Sequence, residues 1–191
     1  MLPSKLGERS SPISVGVIGA GYFGSHTIYQ IEEVPGMETS IIADIDQEKA
    51  IRLYRECGIA ADSIVAADSV FDITAELKNG HRVVTADASD VVEADIDVVV
   101  DATGAPDVAA NNAYRALLNG THVVMVSLEA DAAVGPILAD IANAVGVTYS
   151  LAYGDQPSQI AELCEWAELV GLEIIAAGTW GRDPDHHGIP D

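Results

Sequence analysis

An apolar hexapeptide, Ile13 to Ile18 (ISVGVI), runs directly into Gly19-Ala20-Gly21-Tyr22-Phe23-Gly24, and a helix-length segment from Tyr22 to Glu33 follows. Strand, glycine turn and helix in that order leave the chain few choices. The strand has no polar face, so the sheet that contains it must be covered on both sides. The glycines have separate tasks. Gly19 permits a tight turn, Gly21 lets a ligand approach the backbone, and Gly24 lets helix and strand pack closely. Pro35-Gly36 ends the helix, and Glu38 to Ala43 (ETSIIA) reads as a second strand. Asp44 then falls about 20 residues beyond Gly24, where an acid can meet a ribose hydroxyl.

The same alternation continues. Gln47 to Cys57 is a helix closed by Gly58, and Asp68 or Ser69 caps a helix running to Lys78. Arg82 to Thr85 and Asp97 to Asp101 (DVVVD) are strands, and Pro106 to Leu118 is a helix with proline at its start. His122 to Val126, Val147 to Ser150 and Leu172 to Ala177 are further strands, separated by helices Asp131 to Val145 and Gln156 to Val170. Strands alternating with helices predict an α/β, doubly wound parallel sheet of the Rossmann type with three layers. The expected organisation is a mobile arm at 1–12, a dinucleotide-binding domain at 13–178 and a divergent tail at 179–191.

In such a sheet a cofactor lies across the carboxyl ends of the strands, with its pyrophosphate at the first helix N-terminus. Gly19, Ala20, Gly21, Tyr22, Phe23 and Gly24 are therefore the expected cofactor loop. Asp44 is expected to accept hydrogen bonds from the adenosine ribose and to repel a 2′-phosphate. That favours NAD over NADP within an NAD(P) site. As a helix N-cap, the alternative role, Asp46 fits better than Asp44. Thr103 and Gly104 follow a buried strand and either line the nicotinamide side or, for Thr103, cap the helix at Pro106. Glu129 either faces cofactor or substrate or serves as a first-turn acid. Asp155 and Gln156 are expected in a substrate cleft, with an N-cap turn as the alternative. No metal site is expected, and the adjacent His186 and His187 read as solvated tail residues.

Several stretches carry a resemblance: VGVIGAGYFG, DVVVDATGAP, GTHVVMVSLEADAAVGPILA, VTYSLAYGDQP and AELCEWAELVGLEIIAAG. Together they run from about residue 13 to residue 178. The chain resembles homoserine dehydrogenase-like oxidoreductases that carry a C-terminal SAF domain, a group that includes deoxyxylulose-phosphate reductoisomerase-like enzymes. The resemblance implies NAD(P)-dependent hydride transfer to or from a small polar alcohol or carbonyl substrate. It places Gly19, Gly21 and Gly24 at the cofactor and Thr103, Gly104, Glu129 and Asp155 in the cleft. Past Ala176-Ala177-Gly178 the family continues in a lysine-containing segment, whereas this chain reads Thr179-Trp180-Gly181-Arg182-Asp183-Pro184. The expectation is the N-terminal part of such an enzyme. The alternatives are a catalytically silent dinucleotide-binding or redox-sensing module, paired with itself or with a separate catalytic chain, and a non-functional fragment.

Charge narrows the partners. The sequence has 30 acidic against 9 basic residues, a formal net charge of -21. Nucleic acid and anionic membranes would be repelled, so neither is expected as a partner. No apolar run approaches the roughly 20 residues of a membrane span. The first residues have no signal-peptide core, and Cys57 and Cys164 read as isolated thiols, so a cytoplasmic location is expected. The acids are spread evenly and lysine is scarce, a pattern expected of a surface adapted to high salt, where screening removes self-repulsion. Thermal melts should therefore rise by about 5 °C or more from dilute buffer to molar potassium chloride. Superimposable melts would refute the salt adaptation.

Overall fold

Short strands rich in valine and isoleucine pair best where both faces are dry, and seven of them do so here. The computed structural model describes Leu6, residues 10–152 and residues 156–178. The strands are β1 (Ile13–Ile18), β2 (Met37–Ala43), β3 (Ile64–Ala66), β4 (Arg82–Thr85), β5 (Val98–Asp101), β6 (His122–Met125) and β7 (Tyr149–Leu151). All pair in parallel, in the order β3-β4-β2-β1-β5-β6-β7. The chain leaves β1 towards β2 on one side and later returns to its other side with β5. The crevice of an open parallel sheet forms at that reversal.

The helices are α1 (Tyr22–Glu33), α2 (Gln47–Glu56), α3 (Val70–Lys78), α4 (Ala88–Glu93), α5 (Pro106–Leu118), α6 (Leu128–Val145) and α7 (Gln156–Leu169). Side chains alternate between two cores along each strand, as the pleat requires. Val15, Val17 and Ile42 join Ile28 and Ile31 of α1 and Leu53 and Tyr54 of α2. Ile18, Ile41 and Val99 join Val91 of α4, Leu117 of α5 and Leu138 of α6 on the opposite face. The expected three-layer, doubly wound architecture is thus what the chain adopts.

The chain divides into two compact units, Met1–Leu151 and Ala152–Asp191. The first holds the whole sheet. In the second, α7 is closed by Gly171, two residues past its end, which takes a φ of 81°, and the Leu172 N–H bonds back to the Ala167 carbonyl at 2.9 Å.

Some expected elements differ. No strand forms at Leu172–Ala177; residues 172–178 find no ladder partner among the described residues, and Ile175 is 94% exposed. Apolar composition alone does not make a strand without a neighbouring edge. The helix expected from Asp131 starts at Leu128, because the Ser127 hydroxyl accepts the Ala130 N–H (3.2 Å) and caps it there. Between Asp68 and Ser69, Ser69 is the cap of α3. Two short elements carry too little periodicity to be read, β3 and α4. The helix α4 and the residues after it pack closely over Gly16. A Cβ there would meet Ile96 Cδ1 at 2.5 Å and Val91 Cγ1 at 2.6 Å. The last strand of the first unit is Tyr149–Leu151 rather than Val147–Ser150, and the expected arm and tail lie almost wholly outside the described residues.

One buried polar group tests the account of the core. The Thr39 backbone is fully engaged: its N–H donates to Glu32 Oε1 (2.6 Å), and its carbonyl accepts from Tyr54 Oη (3.0 Å) and Arg82 Nη1 (3.1 Å). Its hydroxyl is buried without a partner. Thr39→Val keeps the shape and removes the unsatisfied group, so it should stabilise the fold by about 1 kcal/mol. Urea melts of the two proteins check this, and a loss of stability would contradict it.

Candidate functional site

The glycine loop is held by backbone on both sides. The Gly19 N–H donates to the Ala43 carbonyl of β2, and the Ala102 N–H beyond β5 donates to the Ile18 carbonyl, both at 2.8 Å. Gly19 takes a φ of 91°, a left-handed conformation that favours glycine, and a Cβ there would meet the Ala102 carbonyl oxygen at 2.8 Å. A Cβ on Gly24 would collide with the Gly19 carbonyl, so α1 can begin this close to the turn only with glycine there. Gly21 is different: its Cβ direction is open, with nothing within 4 Å.

The start of α1 stands apart electrostatically. Its N-cap, Gly21, supplies no side-chain cap, and its first turn contains no acid. The other helices of the first unit carry acids there: Glu48 in α2, Asp72 in α3, Asp90 in α4, Asp107 in α5, and Glu129 and Asp131 in α6. In a chain this acidic, one helix N-terminus has kept its positive dipole end and first-turn amides for something else. Such an end suits a phosphate.

Asp44 sits half-buried at the end of β2. Its Oδ2 accepts the Ala20 N–H at 2.7 Å and its Oδ1 accepts the Asp46 N–H at 2.9 Å. The carboxylate therefore shapes the glycine loop as well as facing the cleft. Asp46 is the cap of α2, accepting the Lys49 N–H at 3.0 Å, as its sequence position suggests. A cavity of about 480 Å³ brings Gly19, Gly21, Asp44, Thr103 and Gly104 together. Ile45, 95% exposed, and Val108 give it apolar walls, and no lysine, arginine or histidine lines it. Tyr22 and Phe23 turn their side chains to a separate apolar groove along α1, so only their backbone belongs to the loop's chemistry.

Sequence reasoning missed Asp101, the last residue of β5. It is fully buried. Its Oδ1 accepts the Thr103 N–H (3.1 Å) and hydroxyl (2.8 Å), and its Oδ2 accepts from Asn112 Nδ2 (2.9 Å). The signal was present: a carboxylate closing an all-valine strand must find donors. The alternative role of Thr103 as a helix cap does not hold, because Ala105 is the N-cap of α5 and no side chain caps it. The Thr103 hydroxyl has turned inward to Asp101 instead.

The other predicted residues lie elsewhere. Glu129 is exposed in the first turn of α6, where Oε2 accepts from the Ser127 hydroxyl at 3.3 Å, and it does not line the cavity with Asp44. Its neighbour Asp131 accepts the Tyr149 hydroxyl at 2.8 Å. Burial, and then that bond, push the Tyr149 hydroxyl far above its ordinary range, so it stays protonated and ties α6 to β7. Asp155, the side chain of Gln156, and His186 and His187 lie outside the described residues. Among the described residues, no group of three or more histidines, cysteines or acids is placed to hold a metal. No helix there is long and apolar enough to cross a membrane.

A family model described as the NAD-binding domain of homoserine dehydrogenase matches residues 19–152, well over half of the chain. Solved structures share the fold at low identity. An NAD-binding oxidoreductase from Klebsiella pneumoniae is 20% identical with a TM-score of 0.57, over 85% of this chain and 40% of that one. Scyllo-inositol dehydrogenase from Lactobacillus casei, solved with NAD(H) and scyllo-inositol, is 18% identical with a TM-score of 0.55, over 83% and 42%. Biliverdin reductase from Synechocystis, solved with biliverdin and NADP+, is 18% identical with a TM-score of 0.56, over 75% and 38%. The chain thus spans about 40% of the length of the structures it matches. No curated protein matches it by sequence.

The loop geometry makes two glycine substitutions behave oppositely. Gly24→Ala should cost about 2 kcal/mol or more, since the obstacle is backbone. Gly21→Ala should leave urea melts close to wild type. A Gly24→Ala protein as stable as wild type would refute this reading of the turn.

Proposed function

The chain belongs to the homoserine dehydrogenase NAD-binding domain family, and from that premise we propose that it is the cofactor-binding part of an oxidoreductase. The reaction is hydride transfer between a nicotinamide and a small polar alcohol or carbonyl compound. The observation that carries the reading is the acid-free, uncapped start of α1 beside the open Gly21. Residues 19–24 receive the pyrophosphate with their amides and the helix dipole. Asp44 accepts the adenosine ribose hydroxyls, and its charge disfavours a 2′-phosphate, so NAD is preferred. Thr103 and Gly104 share a cavity with Asp44, which favours the ribose end for them over the nicotinamide end. Ile45 and Val108 flank a flat apolar ring. The bound nicotinamide supplies the hydride chemistry; this chain's own residues bind and orient it. Glu129 is proposed to face the cofactor or the substrate, and Asp155 and Gln156 are proposed on the substrate side.

A second reading is favoured by one observation: among the described residues no lysine, histidine or tyrosine lines the cavity that holds Asp44. A dinucleotide-binding module that works with a separate catalytic chain fits that lining. Turnover assays with homoserine and related hydroxy acids separate the two readings. NADH binding without turnover favours the module.

Fluorescence titrations in high salt test the cofactor assignment. NADH should bind about tenfold or more tighter than NADPH, and Asp44→Asn should narrow that ratio by removing the charge. Equal affinities in the wild type would overturn the role given to Asp44.

A further inference from the structure

Asp101 is a fully buried carboxylate whose hydrogen-bond partners among the described residues, Thr103 and Asn112, carry no positive charge. The carboxylate satisfies the Thr103 N–H, the Thr103 hydroxyl and the buried Asn112 amide, and it does so at the cost of desolvating a charge. What the carboxylate does is dictate the polarity of Thr103. A carboxylate only accepts, and so does the Ala105 carbonyl at 3.5 Å, so the Thr103 hydroxyl spends its single proton inward, with Oδ1 at 2.8 Å the nearer acceptor. The Thr103 N–H is spent on the same oxygen. Asn112 holds the other oxygen at 2.9 Å and fixes the carboxylate plane. Thr103 lines the cavity, and with its proton directed inward its hydroxyl has only lone pairs left for a ligand there.

Asp44 lines the same cavity and also only accepts. Two acceptor walls facing one cavity welcome a ligand hydroxyl, which donates. They refuse a phosphate monoester, which at neutral pH carries charge and mainly accepts. No basic side chain lines the cavity to reverse that preference. We infer that Asp101 is a positioning residue that sets cofactor selectivity through Thr103, making the second wall of the ribose site acceptor-only and so excluding the 2′-phosphate. This rests on the dinucleotide reading above and extends it beyond Asp44 to a residue that touches no ligand.

The test measures NADH and NADPH affinities of the full chain in high salt, with thermal melts alongside. Thr103→Val removes the acceptor that only NADH uses, so the NADPH-to-NADH ratio of dissociation constants should fall about threefold to tenfold. Thr103→Ser keeps the hydroxyl and should keep the ratio. Asp101→Ala frees the Thr103 proton and should also lower the ratio. Asp101→Asn should retain it, because its carboxamide oxygen still accepts from Thr103 while Asn112 can turn its own oxygen to the new NH2. General damage to the fold would weaken both ligands together and leave the ratio unmoved. If Asp101→Ala does not fold, the two Thr103 variants decide. A wild-type ratio in Thr103→Val, or equal weakening of both ligands in Asp101→Ala, overturns the inference. If Asp44→Asn narrows the ratio and Thr103→Val does not, the dinucleotide reading stands and this one falls. A wild-type chain that binds neither nucleotide ends both.

Discussion

Everything at the carboxyl edge of the sheet depends on how closely the backbone of the glycine loop is pinned between its neighbours. One hydrogen bond joins it to β2, from the Gly19 N–H, and another joins the residue after β5 back to Ile18. Between them the Ala20 N–H reaches the Asp44 carboxylate. These bonds fix where α1 begins, and therefore where its amides point. They also explain why the required residues are so specific. A side chain on Gly19 would press on the Ala102 carbonyl, and one on Gly24 on the Gly19 carbonyl. The loop is a junction of three strand ends that tolerates no side-chain volume at those two points.

The charge distribution acts on the same junction. An acidic chain can place a carboxylate at almost every helix start, and this one does so throughout its first unit except at α1. Those acids are each modest helix-dipole contributions. Their absence at α1 matters more than their presence elsewhere, because it leaves one positive end unneutralised beside an open glycine. With no cationic side chain lining the cavity, backbone amides are what it offers an anion. The surrounding negative charge makes such an attraction sensitive to screening.

Much of this was legible in the sequence, and for physical reasons. β1, β2 and α1 are long, strongly patterned and bounded by proline or glycine, so composition and periodicity define them. The capping roles of Asp46 and Ser69 follow from side-chain chemistry alone. The short elements were not legible. β3 has three residues and α4 six, too few to show a period. Part of the packing of α4 is over Gly16, in a strand far away in sequence. Leu172–Ala177 shows the converse, since strand-like composition becomes a strand only when a neighbouring edge offers a ladder. In the site, Gly19, Gly21 and Asp44 came together as their spacing implies, whereas Glu129 went to the first turn of a helix. Asp101 escaped notice because its role depends on Asn112, eleven residues on, turning back to meet it.

The two acids at the strand ends divide a single problem. Asp44 lines the cavity, where the proposed selectivity would act directly by charge, and it also holds Ala20. Asp101 is sealed beneath the loop and can act only by setting the direction of other groups' protons. A charge at the surface of a site is partly screened at high ionic strength. A hydrogen-bond polarity imposed from a dry interior is not. Under the proposal, any selectivity resting on Asp44 alone would weaken as ionic strength rises. The acceptor-only setting of Thr103 persists, because it is a matter of where one proton sits. That asymmetry gives a physical reason for keeping a carboxylate buried at the end of β5 despite its desolvation cost.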